Sequence, residues 1–217
     1  MMNISQGLTN FITSDIYGLT AEEFSLGRNN IEVVDEMIAA GIKVIQYREK
    51  EKKTLYMYRE CLEIRERTRQ AGVTFIVNDH IDLAIAVKAD GVHIGQEDLP
   101  PEKVRQLIGP SMLIGLSTHL PEQAQSAVKS GVVDYIGVGP IFATNTKKDV
   151  CDPVGLTYLD YVVNNIDLPF VAIGGIKLHN IAEVRKHGAK ISALVTEIVG
   201  AENITEKVSA IRKAMYE

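Results

Sequence analysis

Two aspartates that each follow a short apolar run are the residues of this sequence that point most directly to chemistry. Asp79 comes after the run at 75–77, and Asp98 comes after the run at 91–94. Apolar runs this short are typical of buried strands, and the loops after parallel strands emerge at one edge of a sheet. We therefore expect Asp79 and Asp98 to meet at that edge. Paired carboxylates suit Mg²⁺, which usually takes one or two of them and leaves its other positions to water and phosphate.

Three basic side chains are predicted to reach the same edge. Arg48 and Lys50 follow the apolar run at 44–47, and Lys147 lies in the long loop after the run at 135–138. Cations beside a Mg²⁺ site would share the charge of a polyphosphate. Taken alone, a charged run such as Arg48 to Lys50 is more often a solvated surface segment. The complementary groups on neighbouring loops favour a binding site instead.

A glycine pair after a later apolar run predicts a second anion site. Gly174 and Gly175 leave the backbone free to approach a phosphate, and the last two strand ends of a barrel often form such a site. The hydroxyls of Thr144, Thr146 and Thr196 could donate to the same phosphate. The alternative is a Gly-Gly turn that needs positive φ. A second phosphate site would mean two phosphorylated substrates.

These loops need a framework of strands and helices to position them. Helical patterns, some ended by glycine and others opened by proline, alternate with the apolar runs. Eight strand–helix units in 217 residues predict one (β/α)8 TIM-barrel domain over residues 1–217, with its active site at the C-terminal ends of the strands. The predicted strands are Asn10–Thr13, Val44–Tyr47, Thr74–Val77, Gly91–Ile94, Leu113–Leu116, Tyr135–Val138, Phe170–Ile173 and Ala193–Thr196.

A doubly wound open sheet is the alternative fold. Such sheets usually have fewer strands, and those that bind dinucleotides carry a Gly-x-Gly-x-x-Gly turn after the first strand. The sequence SDIYG at 14–18, which follows the first predicted strand, lacks that fingerprint. The barrel is therefore favoured.

Composition and charge argue against several other classes of function. A net charge of −5 gives no support for nucleic-acid binding, which needs a basic face. No apolar run approaches a membrane span, and the N-terminal segment lacks the features of a signal peptide, so we expect a cytoplasmic protein. Cys61 and Cys151 have no metal-ligand spacing, and the sequence has no His/Cys zinc set, P-loop or Gly-x-Ser-x-Gly elbow. Barrels of this size often pair, which makes a homodimer the expected assembly.

Two histidines lie close to the predicted edge of the barrel. His93 falls inside a predicted strand, where it either fills the barrel interior or faces a substrate. His119 follows the fifth strand and could act as an acid or base, or cap the next helix. The spacing alone does not decide between these roles.

The loop sequences resemble those of the thiamine-phosphate synthase family. That family is a (β/α)8 barrel, and it joins a pyrimidine carried as a diphosphate to a thiazole carried as a monophosphate. The resemblance therefore implies a transferase with two phosphorylated substrates. The similar segments keep the family's order and span most of the chain: QYREK at 46–50, VNDHIDLA at 77–84, ADGVHIGQEDLP at 89–100, IGLSTH at 114–119, DYIGVGPIFATNTKK at 134–148 and VAIGGI at 171–176.

The resemblance also implies roles for individual residues. Asp79 and Asp98 would hold Mg²⁺, and Gln46 would hold the aminopyrimidine ring. The groups expected to act in catalysis are Arg48, Lys50, Ser117 and Lys147, of which Ser117 lies near the reacting centre. The implied diphosphate ligands are Arg48, Lys50, Asn78 and Lys147, and the implied thiazole-phosphate ligands are Thr144, Thr146, Gly175, Val195 and Thr196.

Several positions depart from the family pattern. The run GAKI at 188–191 stands where Gly-Ala-Asp-Gly is usual. Thr196 stands where Ser is usual, and it keeps the hydroxyl. Glu197 stands where a small residue is common, and an acid beside a phosphate is unfavourable unless it points away. Tyr47 replaces the commoner Leu or Phe at an apolar position.

Three other functions remain open at this point. A thiazole tautomerase would need the smaller phosphate site and an acid or base such as His119, but no diphosphate and metal site. A non-enzymatic regulator would bind thiamine phosphates without turning them over. Another phosphosugar-binding barrel would leave the Gln46 segment and the long sixth loop unexplained.

Overall fold

Eight parallel strands close into a barrel in chain order, with the last strand paired to the first. The computed structural model describes residues 6–144, 146 and 151–217. Helices lie between successive strands, so the predicted TIM-barrel fold is confirmed and the doubly wound sheet is wrong. The strands are β1 (Ile16–Leu19), β2 (Val44–Tyr47), β3 (Thr74–Asn78), β4 (Gly91–Ile94), β5 (Leu113–Thr118), β6 (Tyr135–Val138), β7 (Phe170–Ile173) and β8 (Ser192–Leu194).

The helices described by the structure follow the strands as the barrel requires. None of them is long and apolar enough to cross a membrane. A 3-10 turn, Glu22–Phe24, lies after β1. The helices are α1 (Gln6–Ile12), α2 (Asn30–Ala39), α3 (Thr54–Ala71), α4 (Ile81–Ala86), α5 (Pro101–Ile108), α6 (Pro121–Ser130), α7 (Gly155–Asn165), α8 (Ile181–Lys186), α9 (Thr196–Val199) and α10 (Ile204–Tyr216).

The predicted first strand is wrong. Residues 10–12 belong to the helix α1, and the first strand is Ile16–Leu19. Phe11 of α1 is fully buried against the rings of Tyr17 and Tyr135, so this helix closes the N-terminal end of the barrel. A short apolar segment does not reveal by periodicity whether it is a helix or a strand, and here burial under the barrel decides for the helix.

The predicted last strand ends too late. β8 stops at Leu194, and Thr196 is already the first residue of α9. Val195 between them has φ −105° and ψ −91°, which ends the extended conformation. The two residues expected at the strand end, Val195 and Thr196, therefore lie at the turn into a short helix.

Alternating side chains of the strands form two cores. Inward-facing residues such as Val44, Ile76 and Ala193 fill the barrel together with Phe11 from α1. Outward-facing residues pack against the helices in a larger core. The two apolar layers leave the polar side chains at the C-terminal ends of the strands, where all eight loops open.

Candidate active site

The loops after β2 and β3 meet through an ion pair at the open edge of the barrel. The ammonium group of Lys50 contacts the carboxylate of Asp79. Asp79 has a left-handed backbone with φ 60°, and its N–H donates to the carbonyl of His93 at 2.8 Å. The backbone therefore fixes the Asp79 carboxylate beside the predicted diphosphate site.

Asp98 lies in the loop after the adjacent strand β4. Its Oδ2 atom accepts a hydrogen bond of 2.7 Å from the N–H of Gly95, and Gln96 reaches across to the carbonyl of Ser117 at 2.6 Å. The sequence brings the two aspartates to neighbouring strand ends, as expected. Their carboxylates are the kind of oxygen donors that Mg²⁺ takes in ones and twos. Within the described residues, no group of three or more His, Cys, Asp or Glu side chains could hold a metal ion.

Arg48 is held at the edge by its backbone. Its N–H donates to the hydroxyl of Thr20 at 2.9 Å. Among the described residues its guanidinium has no hydrogen-bond or ion-pair partner, which leaves it available to an anionic ligand. Asn78, at the end of β3, is half-buried next to Asp79. Lys147, the other predicted ligand of the diphosphate, lies outside the described residues.

A chain of hydrogen bonds crosses the barrel interior between two predicted site residues. Gln46 Nε2 donates to the hydroxyl of Tyr17 at 2.9 Å, and this hydroxyl lies 2.9 Å from that of Tyr135. The Tyr135 hydroxyl is 3.1 Å from His93 Nδ1, and His93 Nε2 is 3.0 Å from the hydroxyl of Ser117. The sequence did not predict this connection between the ring-binding Gln46 and Ser117.

The three ionisable side chains of this hydrogen-bonded chain, Tyr17, Tyr135 and His93, are uncharged at neutral pH. Burial lowers the pKa of His93 to about 4, an effect that the nearby Asp79 carboxylate only partly opposes. Burial raises the pKa of Tyr17 and of Tyr135. His93 thus fills the barrel interior as a neutral imidazole, the first of the two roles that its position in a strand allowed.

A separate cavity of about 310 Å³ lies at the ends of β6, β7 and β8. Gly174 and Gly175 have φ 98° and 64°, and a Cβ atom on Gly175 would come within 2.6 Å of the carbonyl oxygen of Ala143. The glycine pair is therefore required both for the turn and for the close approach of the sixth loop. The cavity is lined by Phe24, Ala143, Lys177 and four predicted phosphate ligands, Thr144, Thr146, Gly175 and Thr196.

Lys177 is a basic residue of this cavity that the sequence analysis missed. Its ammonium donates to the hydroxyl of Thr196 at 2.7 Å and lies 3.4 Å from the carboxylate of Glu197. It stands two positions after the glycine pair, where a cation can reach an anion held by the backbone. That position was the available signal.

Glu197 is not among the residues that line this cavity, and two lysines balance its charge. Lys207 lies 3.3 Å from its carboxylate, on the other side from Lys177, and the N–H of Leu178 donates to it. Burial tends to raise the pKa of Glu197, but the Leu178 N–H and the two lysines outweigh burial, so the pKa is lowered. The acid that departs from the family pattern is therefore compensated by two cations.

His119 has a structural partner. Its Nδ1 atom lies 2.6 Å from the carbonyl oxygen of Gly139, and its N–H donates to Gln123 in the first turn of α6. These contacts tie the loop after β5 to the loop after β6. Of the two roles open to His119, the contacts favour the structural one.

A second cavity of about 300 Å³ lies at the opposite end of the barrel. Its wall includes Asp15 and Arg212, which pair with each other at 2.8 Å. The N-terminal ends of barrel strands serve stability rather than catalysis. The active site is therefore assigned to the other end.

Comparisons with known proteins point to one family. The family described as "Thiamine monophosphate synthase" matches residues 16–198. The chain is 70% identical over 207 residues to a thiamine-phosphate synthase of Pelotomaculum thermopropionicum, which covers 95% of this chain and 94% of the relative. It is 54% identical over 204 residues to a thiamine-phosphate synthase of Lawsonia intracellularis, over 94% of each chain. The solved thiamine phosphate pyrophosphorylase of Pyrococcus furiosus matches with a TM-score of 0.85 and 33% identity, over 96% of this chain and 97% of that chain.

Proposed function

This chain belongs to the thiamine monophosphate synthase family and is a transferase, and we propose that its reaction is the Mg²⁺-dependent coupling of a pyrimidine diphosphate to a thiazole phosphate. The products are thiamine phosphate and diphosphate. The observation that supports this proposal is that two separate groups of residues at one edge of the barrel are each suited to bind an anion. One combines Arg48 and Lys50 with Asp79, and the other is the cavity beside Gly175.

Bond breaking begins at the pyrimidine. The C–O bond to the diphosphate breaks, and the bonding electrons leave with the diphosphate, so that a pyrimidinylmethyl cation forms. The electron-rich aminopyrimidine ring stabilises this cation, which favours a dissociative pathway. The thiazole nitrogen then uses its lone pair to form the new C–N bond, and no proton transfer is required.

The residues of the diphosphate site stabilise the leaving group. Negative charge grows on the departing diphosphate, and fixed cations and hydrogen-bond donors aimed at that charge lower the barrier. Arg48 and Lys50 supply the cations, together with Lys147 from the sixth loop. Asn78 and Ser117 supply neutral donors.

Asp79 and Asp98 would hold Mg²⁺ in this scheme. When bound, the ion supplies positive charge to the leaving diphosphate. The contact of Asp79 with Lys50 supports the assignment, because the cation that now balances the carboxylate can move to a phosphate once a metal ion replaces it.

The protein aligns the two rings and limits water. Holding the thiazole nitrogen close to the reacting carbon makes capture effectively intramolecular. The cavity beside Gly175 anchors the thiazole through its phosphate, while Gln46, 3% exposed, meets the pyrimidine ring at the floor of the site. Excluding water matters, because water would trap the cation.

Calorimetric titration separates this function from its rivals. We expect the purified protein to bind both the thiazole phosphate and the pyrimidine diphosphate, and the second only with Mg²⁺ present. A tautomerase would bind the thiazole phosphate alone. Absence of Mg²⁺-dependent binding of the pyrimidine diphosphate would contradict the proposal.

The homodimer and the cytoplasmic location stay predictions. Large apolar side chains are exposed on several helices, and α3 carries more than one of them, including Leu55 and Leu62 at 57% and 43%. Such a surface is compatible with pairing.

A further inference from the structure

The barrel interior contains a polar chain that the coupling reaction does not by itself require. It joins Gln46, Tyr17, Tyr135 and His93 to Ser117 without a gap larger than 3.1 Å. We propose that this chain has a single direction, which fixes the hydrogen of His93 on Nε2 and leaves the Ser117 hydroxyl free to donate to the departing diphosphate. Tyr17, Tyr135 and His93 are then positioning residues.

The direction is set at the Gln46 end. The amide Nε2 can only donate, so the hydroxyl oxygen of Tyr17 accepts. Among the described residues the Tyr135 oxygen is the one acceptor left for the buried Tyr17 hydrogen, which therefore goes to Tyr135. The Tyr135 oxygen is thereby an acceptor, and its hydrogen goes to His93 Nδ1. His93 Nδ1 therefore carries no hydrogen, and the neutral ring carries it on Nε2.

The consequence appears at Ser117. Its oxygen accepts from His93 Nε2, at 3.0 Å, so its own hydrogen is not used inside the barrel. Ser117 is only half-buried, on the side where the site opens. A hydroxyl in this state is a donor toward negative charge, which is what a departing diphosphate requires. This inference rests on the proposed function, because that function supplies the diphosphate.

Glycines in two neighbouring strands leave room for the hydrogen-bonded side chains. In the sheet register, His93 lies beside Gly115, and Ser117 lies beside Gly137. A Cβ atom on Gly115 would overlap the Tyr135 ring and His93 Nδ1. Glycine inside a strand marks a close approach of another group, and here that group is the Tyr135–His93 pair.

Nuclear magnetic resonance of protein labelled with ¹⁵N in histidine tests the direction without any substrate. Two-bond ¹H–¹⁵N spectra distinguish a ring nitrogen that carries a hydrogen from one that does not. We expect the His93 hydrogen on Nε2 throughout. A hydrogen on Nδ1, or a mixture of both tautomers, would overturn the proposal. Because no turnover is measured, this result is independent of whether the coupling reaction occurs.

Two variants that each remove one hydroxyl test the link to catalysis. Tyr135→Phe deprives Nδ1 of its donor, so we expect a hydrogen to appear on Nδ1 and kcat to fall about tenfold. The KM for the thiazole phosphate should stay unchanged, because its cavity is formed by other loops. Tyr17→Phe leaves Tyr135 with one acceptor, Nδ1, so the tautomer should remain that of the wild type. A Tyr135→Phe protein with an altered tautomer and wild-type kcat would refute the role of Ser117, as would a Tyr17→Phe protein with Nδ1 protonated.

Discussion

At the scale of single residues, the carboxylate of Asp79 is the group on which the proposed diphosphate site depends. Its backbone is fixed by a hydrogen bond to His93, and its side chain is balanced by Lys50. The sequence located it correctly because it follows a buried strand directly. What the sequence could not indicate is the left-handed conformation with which Asp79 turns into the site.

Replacing Asp79 should remove metal-dependent turnover. We expect Asp79→Ala to lower kcat at saturating Mg²⁺ by about 10²-fold or more, the loss typical of removing one stabilising contact to developing charge. Asp82→Asn, three residues on in the exposed first turn of α4, is the matched control and should retain wild-type kcat. Steady-state kinetics over a range of Mg²⁺ concentrations measures both. Undiminished turnover by Asp79→Ala would count heavily against the assignment of this metal ligand.

Lys177 and Lys207 allow a second matched comparison. Both neutralise Glu197, but only Lys177 lines the cavity beside Gly175. We expect Lys177→Met to raise the KM for the thiazole phosphate about tenfold, since a charge-assisted contact to phosphate is lost. Lys207→Met should change it by much less. Equal effects of the two variants would mean that Lys177 acts through Glu197 rather than on the phosphate.

At the scale of the elements, a buried polar cluster holds the base of the loop after β2. The hydroxyl of Tyr47 donates to Glu60 of α3 at 2.7 Å, Asn30 of α2 donates to the same carboxylate at 3.1 Å, and Lys52 pairs with it. From the sequence, Tyr47 was interpreted as a replacement for Leu or Phe at an apolar position. Its ring is buried as expected, but its hydroxyl has a specific partner that only the packing of α3 against the barrel supplies.

The Glu60 cluster predicts a pH-dependent contribution to stability. Burial tends to raise the pKa of Glu60, but hydrogen bonds from Lys52, Tyr47 and Asn30 outweigh it and the pKa is lowered from 4.5. A lowered carboxyl pKa stabilises the fold above the unfolded value, and this stability is lost as the pH falls through the folded pKa. We expect Glu60→Gln to cost about 2 kcal/mol in free energy of unfolding at pH 7, and much less at a pH below the lowered folded pKa.

Urea denaturation at the two pH values measures this difference. Glu66→Gln is the control on the same helix, because Glu66 is exposed and hydrogen-bonded only to neighbours along α3. Its effect should be small at both pH values. A Glu60→Gln cost that is the same at pH 7 and at a pH below the folded pKa would show that the carboxylate charge is not what stabilises the cluster.

The two strand glycines beside His93 should differ in how well they tolerate substitution by alanine. A Cβ atom on Gly115 would overlap Tyr135 and His93, whereas one on Gly137 would come no closer than 3.4 Å to His93. We expect Gly115→Ala to lower the free energy of unfolding by about 2 kcal/mol, as overpacking does. Gly137→Ala should be close to neutral. Chemical denaturation of both variants tests this, and a neutral Gly115→Ala would mean that the interior is less tightly filled than its contacts indicate.

At the scale of the whole molecule, the sequence predicted the inner strands of the barrel better than the first and last strands. The bounds of β2, β4, β6 and β7 coincide with the predicted ones, because each is a short apolar run followed directly by a glycine or a charged residue. The predicted bounds of the first and last strands were wrong, because tertiary packing overrides the local sequence pattern there. The segment around Phe11 forms a helix because the Phe11 side chain is buried under the barrel. At the other end, the chain turns at Val195, before the expected end of β8.

The positions of the proposed site residues were predictable wherever they lie directly after a strand. Asp79, Asp98, Arg48 and Lys50 all follow strand ends, and parallel pairing brings those ends together without further information. The interior chain was not predictable in the same way. Its partners lie 42 and 118 positions apart in the sequence, and their contact depends on which strand residues face inward at one level of the barrel.

The central claim is that the two anion sites act together to form thiamine phosphate. The most direct measurement incubates the purified protein with the pyrimidine diphosphate and the thiazole phosphate, with and without Mg²⁺, and quantifies both products. We predict equal amounts of thiamine phosphate and diphosphate, formed only when Mg²⁺ is present. Binding of thiazole phosphate without formation of either product would contradict the claim and favour the tautomerase or the regulator.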